Sequence, residues 1–316
     1  MKLRQEIYDL YFKFATERQN IFFNKINCMT KPWTSDNILN EYKFCNAYRA
    51  SDRVSQYLIS NAIYSGIQKD EEVILRILLF KLFNKIETWE YLKEKLGDIT
   101  ISNFSFEKLD ELLIEYSKNG NAIYNNAYMS CATKAYGYER KHENHLALIE
   151  QMIFKDNITK KIVNSKTYKE VFEILRVYPL IGDFMAYQLM SDINYSNVIN
   201  FDENDFTIAG PGSIRGINKC FEKKDHKSYE YFIMYMVENQ DKEFKRLGLD
   251  FKLLWGRKLH AIDCQNIFCE LDKYCRVAHP ELKSNRVKIK TKYESVPKKI
   301  EYFYPPKWNI NEKIKK

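Results

Sequence analysis

Glycine and proline are scarce in this chain, ten and seven among 316 residues. So few turn-formers do not suit a fold of many short strands. No run of alternating apolar and polar residues bounded by turns occurs either, so a large sheet is not expected. Long apolar runs are missing: nothing approaches the roughly 18 residues that a membrane helix needs. The opening Met1-Lys-Leu-Arg-Gln-Glu enters an amphipathic pattern, not the apolar core of a secretory signal. A Walker phosphate loop, with its Gly-Lys-Ser/Thr, is absent, and so are internal repeats. Seven cysteines, an odd number in a long chain without an export signal, point to reduced thiols. These absences lead to the expectation of a soluble, cytoplasmic protein with no membrane contact; no protein partner can be inferred.

What is present reads as helix. Leu3, Ile7, Leu10, Phe14 and Phe22 step by three and four residues along 2–26. Pro32-Trp33-Thr34 interrupts them, with Thr34 or Ser35 as the next cap. Val54, Tyr57, Leu58 and Ile63 share a face of 52–66. Ile74, Leu75, Ile77, Leu78, Leu79, Leu82 and Phe83 crowd 71–85 and predict a buried central helix. Further helices are predicted at 87–96, 106–118, 140–155, 167–176, 183–193, 213–222, 228–246 and 256–275. The fold class is all-α. Gly120, Asn121, Asn125, Asn126 and Gly137 cluster at a soft boundary near 119–137, which would divide a domain spanning 1–280 into two lobes.

The formal net charge is +8, and eleven Lys and Arg against four Glu place +7 of it in residues 281–316. A basic, aromatic-bearing tail fits a polyanion, because Lys and Arg release counterions from phosphate. A solvated C-terminus without a partner would carry the same charge. Aromatic residues, 15% of the chain, serve either a core or a surface that grips bases.

The most informative stretch is Leu175-Arg176-Val177-Tyr178-Pro179-Leu180-Ile181-Gly182-Asp183-Phe184-Met185-Ala186. An amphipathic helix ends, a turn with Pro and Gly follows, and a second helix begins. Gly182 permits close backbone approach, and Ala186 lets the two helices pack. Amides at the second helix's N-terminus then make an anion site for a DNA phosphate, one that grips backbone without reading sequence. Tyr178, Pro179, Leu180, Ile181 and Gly182 are therefore candidate DNA contacts. The pattern resembles the helix-hairpin-helix of the base-excision DNA glycosylase superfamily. The resemblance implies a catalytic aspartate about twenty residues past the hairpin glycine. That position is Asp202, in Asn200-Phe201-Asp202-Glu203-Asn204-Asp205-Phe206. A fixed carboxylate there would stabilise an oxocarbenium-like sugar and orient water; an Asp in a loop also commonly caps the segment that follows. Superfamily members that form a Schiff base carry a lysine where this chain has Phe184, which implies a monofunctional, water-using enzyme.

Three more segments stand out: Pro32-Trp33-Thr34 with Tyr42–Tyr57; Gly210-Pro211-Gly212-Ser213-Ile214-Arg215-Gly216; and Ala261–Tyr274. Together with the hairpin they are similar to the α-glutamyl/putrescinyl thymine pyrophosphorylase family, also known as the helical domain of hydroxymethyluracil DNA kinases. The similarity spans roughly 20–280. It implies one of two activities on 5-modified pyrimidines in duplex DNA. One is excision of a hydroxymethyl-derived or glucosylated base in anti-phage defence. The other is substitution at an activated 5-pyrophosphomethyl uracil during thymine hypermodification. Excision is the leading expectation, substitution the alternative, and a non-catalytic DNA-binding module a third.

Asn46, Arg49, Asp52, Arg53 and Gln56 recur at three- and four-residue steps, which predicts a polar stripe along one helix face. Such a stripe suits a pyrimidine edge or an internal salt-bridge network equally well. Asp263, Asn266, Glu270 and Lys273 form a second stripe, where scaffolding is favoured. Gly210 and Gly212 could offer amides to another phosphate, with Arg215 beside them. Cys264, Cys269 and Cys275 lack iron–sulfur spacing and read as buried thiols. His142 and His145 read as solvent-exposed. No metal and no cofactor is expected.

Overall fold

The computed structural model describes residues 1–125, 132–289, 291–294 and 300–314. It is all-α, with helices α1 (Gln5–Ile26), α2 (Asn37–Glu41), α3 (Arg53–Tyr57), α4 (Asp70–Phe83), α5 (Ile86–Leu96), α6 (Phe106–Lys118) and α7 (Lys141–Glu150). They are followed by α8 (Ile158–Val163), α9 (Tyr168–Arg176), α10 (Asp183–Tyr195), α11 (Pro211–Cys220), α12 (Tyr229–Arg246), α13 (Ala261–Ala278) and α14 (Asn311–Ile314). Among the described residues the sheet is a single antiparallel pair, β1 (Lys2–Leu3) with β2 (Phe221–Lys223). Leu3 thus belongs to a strand and not to the helix predicted over 2–26. Its pairing partner lies in a distant part of the sequence, which local periodicity cannot register.

The chain forms two compact units. The first contains Met1–Asp52, Phe206–Tyr302 and Ile310–Lys316; the second contains Arg53–Asp205 and Phe303–Asn309. The stretch 119–137 lies inside the second unit, and residues 126–131, Asn126 among them, are outside the described residues.

The second unit is organised on α4. Ile74, Leu75, Ile77, Leu78 and Leu79 are fully buried, and Asp70, Glu71 and Glu72 in the first turn complement the helix dipole. Its two buried cations are matched. Arg76 Nε donates to the Ala62 carbonyl at 2.7 Å, and Lys81 Nζ lies 2.9 Å from Asp192 of α10. The predicted 52–66 helix is α3 continued by a π-helical turn, Leu58–Ile63.

In the first unit α11 crosses α13 closely. A Cβ on Gly216 would stand 2.0 Å from the Phe268 carbonyl oxygen, and one on Gly212 would stand 2.2 Å from Cys269 Sγ. Asp36, not Thr34 or Ser35, caps α2: its Oδ1 accepts from the amides of Ile38 (2.8 Å) and Leu39 (3.0 Å). Thr34 Oγ1 accepts from the Asp36 amide instead. The C-terminal stretch is packed at two points, since Tyr304 is fully buried and Ile310 nearly so.

Candidate functional site

The hairpin forms in the second unit. α9 and α10 are joined by residues 177–182, and Ala186 is fully buried where they meet. The left-handed residue of the turn is Leu180 (φ +68°), whereas Gly182 caps α10 in an extended conformation (φ −82°). Nothing in the chain lies within 4 Å of a Cβ built on Gly182, so any need for glycine there comes from outside the chain. Of the five hairpin residues expected to contact DNA, Pro179 and Gly182 are exposed; Tyr178, Leu180 and Ile181 turn inward and pin the loop. Val177 and Phe184 stand out on either side of it. The helix N-terminus also carries an unforeseen acid: Asp183, in the first turn of α10, pairs with Arg176 across the hairpin. A carboxylate already sits at the positive end of the dipole, the place expected to hold phosphate.

Asp202 lies exposed on the loop after α10. Its Oδ1 accepts from the Asn204 amide at 2.8 Å and its carbonyl accepts from the Asp205 amide at 3.1 Å. This is the turn-capping geometry of a loop aspartate. The loop is braced from both directions. Asn194 Nδ2 donates to the Phe201 carbonyl, and Asn194 Oδ1 accepts from the Phe201 amide, both at 3.0 Å. Lys307 Nζ donates to the carbonyls of Ser196 and Ile199, each at 2.9 Å. Lys307 went unnoticed in the sequence because no spacing connects it to residue 202.

The stripe Asn46, Arg49, Asp52, Arg53 and Gln56 is not one helix face. Asn46 is in a loop, Arg49 opens a short 3-10 turn, Asp52 ends the first unit, and Arg53 and Gln56 belong to α3 in the second. Arg53 lies 3.6 Å from Glu87 and is exposed, while Gln56 is buried with its Oε1 accepting from the Phe303 amide at 2.8 Å. Asn46 and Arg49, together with Cys45, meet the stripe on α13. Glu270 Oε2 accepts from the Cys45 amide (2.9 Å), Asn266 Nδ2 donates to the Asn46 carbonyl (3.0 Å), and Asp263 Oδ1 accepts from the Arg49 amide (2.8 Å). Lys273 donates to the Lys43 carbonyl and lies 3.0 Å from Glu270. One face of α13 therefore holds the backbone of 43–49 in place. Asp52 Oδ1 accepts from the Asn46 amide at 2.8 Å, and Arg18 Nη2 donates to Asn46 Oδ1 at 3.1 Å. Burial raises the Asp52 carboxyl to about 6, against the Asn46 hydrogen bond; nearby Glu270 adds to the rise and Arg18 opposes it.

The Gly-Pro-Gly segment does not present a phosphate cradle. Gly210 is the buried cap of α11, Gly212 is pressed against Cys269, and Arg215 Nε donates to Asp272 Oδ2 at 2.9 Å. Asp272 is fully buried and also meets Lys219 (3.1 Å) and Arg276 (2.7 Å). Burial pushes its carboxyl up, but these three cations outweigh that and hold it below the ordinary range. The glycines serve helix contact.

His142 and His145 are buried, contrary to expectation. His142 Nε2 lies 2.8 Å from Asp110 Oδ1 and His145 Nδ1 lies 2.8 Å from Tyr124 OH, so each imidazole is satisfied inside the fold. Burial pushes the thiols of Cys264, Cys269 and Cys275 to about 12.

Fold and loops together define an all-α module in which a short turn joins α9 to α10. Residues 5–284 match the family described as "5-hmdU DNA kinase, helical domain", and the chain belongs to that family. It is 26% identical over 290 residues to a "5-hmdU DNA kinase" of Bacillus phage SP10, an alignment that covers 85% of this chain and 45% of the relative. The chain thus spans under half the length of the curated relative it matches. No solved structure matches it. These comparisons overturn the expectation of a base-excising glycosylase or hydrolase, because family and relative alike are named for modifying the base, not for removing it. The inference drawn from Phe184 about a water-using, monofunctional glycosylase falls with it. No helix among the described residues is long and apolar enough to cross a membrane.

Proposed function

We propose that this chain engages duplex DNA carrying 5-hydroxymethyl-2′-deoxyuridine and takes part in altering the 5-substituent, leaving the glycosidic bond intact. The observation that carries the reading is the family match along nearly the whole chain, reinforced by the phage relative's name. Enclosed chemistry at an exocyclic methylene needs the nucleotide out of the stack, at a cost of about a few kcal/mol. The hairpin, a scaffold shared in this reading with the helix-hairpin-helix DNA enzymes, would steady the strand through Pro179 and Gly182. Asp202, an exposed carboxylate on a braced loop, would accept the proton that the attacking nucleophile loses. The step is one of two: the 5-hydroxymethyl oxygen takes the terminal phosphoryl group of a nucleoside triphosphate and the diphosphate leaves, in keeping with the relative's name, or an incoming nucleophile bonds to the methylene of an already activated 5-pyrophosphomethyl group and pyrophosphate leaves. A cytoplasmic setting suits both, and no cofactor is assigned to this chain.

The absent Walker loop favours a second reading, in which this chain binds and extrudes the base without performing the chemistry. One assay separates the readings. The protein is incubated with duplex containing 5-hydroxymethyluracil or its pyrophosphorylated form, with and without ATP. The DNA is then digested to nucleosides and weighed. An altered nucleoside with intact backbone is expected, lost in Asp202→Asn while DNA binding persists. Retention of DNA without product supports the binding module, and released base with alkali-labile sites refutes both.

A further inference from the structure

Trp33 and Tyr293 face each other in the first unit, with ring centroids 6.3 Å apart and planes at 79°. Both are fixed by backbone contacts. Trp33 Nε1 donates to the Met29 carbonyl at 2.7 Å, and Asn24 Nδ2 of α1 donates to the Trp33 carbonyl at 3.0 Å. Tyr293 comes from the basic C-terminal stretch. Its amide donates to the Glu41 carbonyl at 2.8 Å, and the Lys43 amide donates to the Thr291 carbonyl at 3.1 Å. Two ammonium groups share this ring pair. Lys25 Nζ lies 4.7 Å from the Trp33 centroid and 4.6 Å from that of Tyr293; Lys31 Nζ lies 5.0 and 5.3 Å from the same two. Each ammonium is within cation–π reach of both rings. Their pairing adds repulsion: burial, then Arg18 and Lys31, pull Lys25 down to about 8 despite the attraction of Asp52. An anion would relieve that repulsion, and aromatic faces beside paired cations are how nucleotides are gripped without sequence preference.

We infer that Lys25, Lys31, Trp33 and Tyr293 form a binding site for a phosphoryl group carried by a nucleotide, the ammonium pair taking the anion and the rings lying against the attached sugar and base. The nucleotide is either part of DNA, which rests on the function proposed above, or free in solution. The full chain is compared with Lys31→Met, whose exposed side chain can be changed without touching the core, and with the Lys25→Met/Lys31→Met double variant. Binding to a labelled 5-hydroxymethyluracil duplex is followed by anisotropy through a salt series, and binding to ATP by calorimetry. A DNA source predicts that the slope of log K against log salt falls by about 0.9 per lost contact, thus about 1.8 in the double variant. A free-nucleotide source predicts at least about tenfold weaker ATP binding with the duplex slope unchanged. Wild-type binding that neither variant alters overturns the site alone. A wild-type chain that binds neither duplex nor ATP overturns the site and the proposed function together.

Discussion

At the scale of single residues, Asp52 shows how packing sets chemistry. Its carboxyl keeps some contact with solvent, yet desolvation lifts it from 3.8 to about 6. Between those values the native chain holds a proton that the unfolded chain has released. The stability contributed by Asp52 is therefore full below about 3.8 and is lost as pH rises through about 6. Asp52→Asn keeps an oxygen for the Asn46 amide and removes the charge at every pH. The melting temperature of Asp52→Asn relative to the parent should then climb by a few degrees between pH 4 and pH 8, since a tenfold change in proton affinity is worth about 1.4 kcal/mol. A difference that stays level over that range would show that the carboxyl titrates normally. The amino-acid sequence picked out Asp52 but put it on a helix face with Arg53 and Gln56. It could not show that the chain passes from one unit to the other between residues 52 and 53, because that boundary is made by contacts far apart in sequence.

At the scale of elements, legibility follows how locally each element is stabilised. The sequence predicts α12 at 228–246 and the helix spans Tyr229–Arg246, because an uninterrupted period and a Ser228 cap define it without outside help. The hairpin is legible for the same reason. The β1–β2 pair and the burial of His142 and His145 are not legible, since partners distant in sequence decide each of them. Gly212 is the instructive case. Together with Gly210 it suggests a phosphate cradle from the sequence, but Gly212, like Gly216, sits at a close helix crossing, and only the neighbour on α13 tells the two uses apart. Gly216→Ala would push a methyl group to 2.0 Å from a backbone oxygen that cannot swing away. Chemical denaturation should register a loss of about 1–3 kcal/mol or more. Gly182→Ala, in open space at negative φ, is the control and should stay within about 1 kcal/mol of the parent. If both variants unfold alike, the close crossing of α11 and α13 is wrong.

At the scale of the whole chain, the basic C-terminal stretch is not a uniform charge reservoir. Lys283, Arg286 and Lys288 are exposed, whereas Lys292 pairs with Glu41 at 3.3 Å and Lys313 donates to the Trp255 carbonyl at 3.2 Å. Lys307 is spent entirely on structure, closing the carbonyls of Ser196 and Ile199 while Trp308 packs edge-on against Tyr195 at 5.4 Å. If Asp202 acts from this loop, Lys307 governs it by ordering, not by charge. Hydrogen bonds from a charged donor contribute about 1.5–3 kcal/mol each. With two such bonds lost, Lys307→Met should speed amide exchange at 198–204 by about a hundredfold or more while the protection of α4 is kept, because the loss is local. The same variant should leave the salt dependence of DNA binding unaltered, whereas Gln at 283, 286 and 288 should flatten it if those side chains meet phosphate. Unchanged exchange at 198–204 in Lys307→Met would mean that the Asn194 contacts alone order the loop, and that the C-terminal stretch has no hold on the candidate catalytic carboxylate.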